Sequence, residues 1–123
     1  MTPTLPFNQF DAIEIPAPDI ESAKVFYSTV FGWKLEPYGK QYCCFNDGRL
    51  TGGLSAERRV SEGGPLLVIC VEDIDTAMDR IIKFGGRLSV PKFAFPGGKR
   101  AHFIDPNGNE LAVWQEQPKK ASV

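Results

Sequence analysis

Two stretches of this chain keep one spacing. IEIPAPDIESAKVFYSTVFGW, beginning at Ile13, and LVICVEDIDTAMDRIIKFGGR, beginning at Leu67, match at a constant offset of 54 residues. Each carries an Asp, then Ile, then Ala four residues after the Asp and Gly thirteen after it: Asp19, Ile20, Ala23 and Gly32 against Asp73, Ile74, Ala77 and Gly86. Local chemistry explains the pattern. An N-cap Asp accepts a hydrogen bond from an otherwise unpaired backbone N–H, an acid (Glu21, Asp75) sits in the first turn, and Gly ends a helix where positive φ is needed. Between these marks, Ile20, Ala23, Phe26, Tyr27 and Val30 recur at helical spacing, as do Ile74, Ala77, Met78, Ile81 and Ile82. Each stretch therefore reads as a strand feeding an amphipathic helix.

The segments after the two helices correspond as well. WKLE, QYCCFN and RLTGGLS come after the first, with Asp47-Gly48 as a hairpin turn; RLSV, KRAHFI and NELAVWQ come after the second, with Asp105-Pro106-Asn107-Gly108 turning the chain. The unit is βαβββ, present twice. Any α+β protein shows Asp caps and Gly stops, but unrelated coincidences do not all keep one offset. At 123 residues there is room for one domain with a real core and not for two independent ones. The expected organisation is a single α+β domain, 1–123. Module one covers about 8–56, a polar linker (ERRVSEGG) 57–64, module two about 65–116, and a frayed tail 117–123.

Charge and cysteine content narrow the function classes. A net charge of −1 gives no electrostatic case for nucleic-acid or membrane partners. No apolar run is long enough to cross a bilayer, and MTPTLPFNQF lacks a signal-peptide pattern, so a cytoplasmic location is expected. The three cysteines are an odd count, and adjacent Cys43 and Cys44 make no evident disulfide framework. With no CxxC and one histidine, a zinc finger is excluded by ligand count.

The strings DIESAKVFYSTVFGW and VEDIDTAMDRIIKFGG, the latter joined to HFIDPNGNELAVW, resemble the glyoxalase, bleomycin-resistance and extradiol-dioxygenase superfamily, the vicinal oxygen chelate fold. The likeness covers roughly residues 8 to 116. It implies tandem βαβββ modules whose curved mixed sheets form a cavity, commonly in a homodimer. For the enzymes it also implies a divalent metal, held by a His on the first strand of each module and a Glu on the last. Position by position, those sites fall on Ala12 and Leu66, seven residues before Asp19 and Asp73, and on Gly52 and Ala112. None of the four carries a donor atom, whereas cation affinity comes from several converging oxygen or imidazole ligands. A cavity without the usual metal is expected; the alternative is a divalent ion held through His102 and Glu110.

If those four positions face the cavity, strand alternation supplies the rest of its wall. Glu14 shares the face of Ala12, with Phe10 before it. Across the first hairpin Cys43 is expected opposite Gly52 and Phe45 opposite Leu50. Across the second, Ala101 is expected opposite Ala112, Phe103 opposite Glu110 and Lys99 opposite Trp114. That register turns His102 toward the helix-packed side. The expected ligand pocket is therefore Phe10, Glu14, Cys43, Phe45, Lys99, Phe103 and Trp114, an aromatic wall suited to a planar or apolar small molecule.

Two carboxylates are candidate catalytic groups. Glu14 places an acid toward an enclosed space between Ile13 and Ile15, with a salt bridge at the rim or dimer interface as the plainer role. Glu110 comes just after a turn, where charged residues are common. The resemblance implies a glyoxalase-like protein that holds a small organic molecule, as bleomycin resistance proteins do. The alternatives are a lyase or isomerase of the lactoylglutathione-lyase type, with Glu14 or Glu110 as general base, and an accessory module with a vestigial cavity.

Overall fold

A computed structural model describes residues 7–8, 10–61 and 63–118 of the chain. The expected tail falls mostly outside the described residues, at 119–123. The first module comprises β1 (Ala12–Pro16), α1 (Ile20–Phe31), β2 (Lys34–Pro37), β3 (Tyr42–Asn46) and β4 (Thr51–Ser55). The second comprises β5 (Leu67–Cys70), α2 (Ile74–Lys83), β6 (Arg87–Phe95), β7 (Gly98–Ile104) and β8 (Glu110–Glu116). Each module forms an open four-stranded mixed sheet, in the orders β1-β4-β3-β2 and β5-β8-β7-β6. The first and last strands of each module pair in parallel and the other pairs are antiparallel. Two tandem βαβββ units in an α+β domain are thus what the repeat specified.

The helix signals act as their chemistry requires. Asp19 caps α1 by accepting from the Ser22 N–H at 3.3 Å, and Asp73 caps α2 by accepting from the N–H groups of Asp75 and Thr76. Gly32 closes α1 with φ 72°. In α2 the left-handed glycine is Gly85, φ 103°, and not the repeat-matched Gly86. Gly86 instead packs where an added Cβ would lie 2.7 Å from Ile81 Cγ2. Strand β6 runs for nine residues, well past the RLSV that its sequence suggested, and includes Pro91. It is an edge strand with register irregularities at Leu88/Val90 and Val90/Phe93, where a missing N–H is tolerated.

Both helices and the inner faces of both sheets share one core. Tyr27 stacks on Trp33 at 4.6 Å, Trp33 on Phe45 at 4.5 Å, and Phe26 and Phe31 each meet Phe103 at 6.0 Å. The second hairpin loop stitches the modules together. Buried Asp105 accepts from Tyr27 Oη at 2.8 Å, Asn107 exchanges hydrogen bonds with the backbone of Asp19, and Asn109 Nδ2 donates to the Pro16 carbonyl at 2.6 Å. Among the described residues, no helix is long and apolar enough to cross a membrane.

Burial first, and then the Asp105 carboxylate, hold the Tyr27 phenol well above its ordinary value. The folded chain therefore keeps this proton at a pH where the unfolded chain, with a phenol pKa of about 10, gives it up. The stability this contributes is complete below about pH 10 and is lost as pH rises above it. The urea midpoint should hold steady approaching pH 10 and then fall. In Tyr27→Phe it should start lower and fall less. An equally steep alkaline fall in that variant would assign the effect to other groups.

Candidate functional site

The pairing of the strands defines the faces of the two sheets turned away from the helices. In module one, Glu14 pairs with Gly53, and Gly53 with Cys44, so Ala12, Glu14, Tyr42, Cys44 and Gly53 share the face turned away from the helices. Gly52 lies on the other face, pressed against the Phe45 ring and the Ile13 carbonyl. The expected Gly52 position is therefore corrected to Gly53, by one residue. Cys43 and Phe45 do share the face of Gly52, as alternation required, but that face is the helix-packed core, where they are 1% and 3% exposed. Burial pushes the Cys43 thiol up, away from nucleophile chemistry.

The second hairpin differs in the same way. His102 pairs with Ala112 and Ile104 with Glu110, so the loop holds five residues, Asp105 to Asn109. The reason is Asp105: its Oδ1 accepts from the N–H groups of both Asn107 and Asn109, which draws Asn109 into the loop. One residue of slip exchanges the faces of a strand. Phe103 therefore belongs to the core at 0% exposure and Lys99, on the same face near the start of β7, lies exposed, while His102 joins Glu110, Ala112 and Trp114 on the face turned away from the helices. Trp114 keeps its expected face and lies 6.3 Å from Phe95, but it lines a separate depression with Val68 and Cys70. Phe10 precedes β1 and is 95% exposed, outside the core.

A cleft of about 710 Å³ lies between β1, the linker and the second sheet. Its lining brings together both nominated carboxylates, Glu14 and Glu110, with His102 and with Arg58 of the linker. Glu14 Oε2 accepts from Tyr42 Oη at 3.2 Å, and its Oε1 lies 3.6 Å from Arg58. Tyr42 reaches Glu14 because residue 53 is glycine; a Cβ there would overlap the phenol. Burial and the neighbouring Glu14 raise the Tyr42 phenol above its ordinary value, keeping it a donor. Glu110 Oε2 accepts from Ser89 Oγ at 2.9 Å and faces His102 Nδ1 at 3.5 Å. Arg100 Nε donates to His102 Nε2 at 3.0 Å, so the neutral ring carries its proton on Nδ1, toward Glu110.

Tyr42 and Arg58 are site residues that the sequence pattern did not single out. Strand alternation from Glu14 through Gly53 would have found Tyr42; Arg58, in an irregular linker, left no periodic signal.

The sequence model of the Glyoxalase/Bleomycin resistance protein/Dioxygenase superfamily matches residues 9–113. A glyoxylase-like domain-containing protein of Didymella fabae is 32% identical over 124 residues, covering 85% of this chain and 91% of that protein. A glyoxylase-like protein of Mycobacterium tuberculosis, CFP32, is 27% identical over 114 residues, which are 84% of this chain. The chain spans 44% of that relative's length. In structure, a glyoxalase/bleomycin resistance protein/dioxygenase family enzyme from Burkholderia phytofirmans superposes with a TM-score of 0.76 at 18% identity, covering 87% of this chain and 98% of the other.

Proposed function

Because this chain belongs to the glyoxalase/bleomycin resistance protein/dioxygenase superfamily, we propose that it binds a small organic molecule in the cleft between its modules, without a divalent metal. The reading rests on one observation. The positions to which the family resemblance assigns the metal-holding His and Glu, with the module-one last-strand position moved from Gly52 to Gly53 by the strand register, are Ala12, Leu66, Gly53 and Ala112, and none of these side chains carries a donor atom. Among the described residues, no three His, Cys, Asp or Glu side chains stand together as a metal centre requires. His102 and Glu110 supply two donors at most, and Arg100 already holds the second imidazole nitrogen.

A lyase or isomerase is the second reading, favoured by one contact. Tyr42 Oη donates to Glu14, a carboxylate of the cleft lining, which pairs a proton donor with a base suited to proton removal next to a carbonyl. We further propose a cytoplasmic homodimer. Support comes from Val68 and Phe93, 44% and 41% exposed on the second sheet, and from three unpaired cysteines that suit a reducing compartment.

Titration with Zn²⁺, Mn²⁺ and Ni²⁺ followed by dialysis should leave far less than one ion per chain. One tightly held ion per chain would overturn the metal-free reading. In a small-molecule NMR screen, hits should shift amides of β1 and of the 105–111 segment; hits confined to the opposite end of the second sheet would move the site elsewhere. Glu14→Gln should abolish turnover of any substrate found, and unchanged turnover would remove Glu14 from the chemistry.

A further inference from the structure

The charge of the cleft is unbalanced, and the imbalance has a sign. Both of its carboxylates are engaged by donors of the protein: Glu14 by Tyr42 and Arg58, Glu110 by Ser89 and His102. Against them stand three guanidiniums, Arg58, Arg59 and Arg87, with no lysine in the lining. Among the described residues, Arg58 is the one of the three with a carboxylate within 4.0 Å. Arg59 and Arg87 line the cleft and have no acceptor from the described protein. Among the described residues, the lining thus carries one more formal positive charge than negative, in a chain whose overall charge is −1.

We propose that the cleft takes a small organic monocarboxylate, whose oxyanion is held by Arg59 and Arg87. This rests on the reading that the cleft is the ligand site. A planar guanidinium presents paired N–H donors that match a carboxylate in two parallel hydrogen bonds. Ile13, Leu66 and Ile104 line the same cleft and cover the organic portion. One surplus positive charge among the described lining residues matches one carboxylate, whereas a dianionic phosphate would exceed it. The already satisfied Glu14 and Glu110 remain outside the oxyanion's place and repel a second acidic group.

The test uses three probes of one shape: benzoate, benzamide and phenyl phosphate, titrated by NMR against the full chain and the double variant R59Q/R87Q. Both positions are exposed, so the variants should fold; the single variant R87Q and a thermal melt guard against the contrary. Benzoate should bind on the order of tenfold more tightly than benzamide. That preference should shrink at about 0.5 M salt and vanish in the double variant, with benzamide binding unchanged. Equal binding of benzoate and benzamide would overturn the anion class while leaving the cleft as a ligand site. A benzoate preference that survives in R59Q/R87Q would overturn the assignment of these two arginines. Tighter binding of phenyl phosphate would overturn the monocarboxylate. Failure of all three to perturb the cleft would overturn the site itself.

Discussion

Asp105→Ala should be among the most damaging single substitutions outside the aromatic core, lowering stability by about 3–4 kcal/mol and the melting temperature by about 10–20 °C. The side chain is 3% exposed and receives Tyr27 Oη, the N–H groups of Asn107 and Asn109, and Asn109 Nδ2, all within 3.0 Å. Truncation leaves these donors without their acceptor, and buried or half-buried donors cost about 1–3 kcal/mol each when orphaned, less where water reaches them. The consequence goes beyond local stability. The same loop carries Asn107 to the N-terminus of α1 and Asn109 to the Pro16 carbonyl, so its collapse should loosen the contact between modules. Thermal melts and hydrogen exchange on β1 check this. A loss under about 1 kcal/mol would mean the loop is only a surface turn.

Phe103→Ala should cost about 3–5 kcal/mol, the usual penalty for emptying a fully buried aromatic site. Phe103 is 0% exposed and packs against Phe26 and Phe31 of α1. His102→Ala, one residue away and on the opposite face, should cost under about 1 kcal/mol while weakening any ligand bound in the cleft. The contrast distinguishes the two registers of the hairpin. Had Phe103 faced the cleft, the effects on stability and binding would trade places. Urea denaturation of both variants, with ligand titration of His102→Ala, decides between them.

These two substitutions mark where sequence reading succeeds and where it stops. The repeat was legible because Asp caps, helical spacing and turn residues are local signals, and the facing of Glu14 comes from strand period once the resemblance fixes the face of Ala12. Cys43, Phe45 and Phe103 went to the wrong face because each facing was counted through a turn. In the second hairpin the turn length was decided by tertiary contacts of the loop: Asp105 and Asn109 side chains reach Tyr27 and Pro16, residues far away in sequence. No local propensity of DPNGN encodes that. The aromatic wall was for the same reason an aromatic core, since Trp33 and Phe45 stack with Tyr27 under the sheet. The cleft instead presents polar groups, and its arginines lie in or next to segments without periodicity.

Since His102 is the only histidine, its imidazole gives one unambiguous set of ring signals. Long-range proton–nitrogen spectra of the chain labelled at histidine read its tautomer and surroundings directly. A ring on the cleft face should be protonated at Nδ1, show contacts to Phe93 and not to Phe26, ignore added Zn²⁺, and shift when a ligand enters. A ring protonated at Nε2, in contact with the α1 aromatics, or moved by stoichiometric Zn²⁺ would contradict a metal-free ligand cleft built around His102, Glu110 and Glu14.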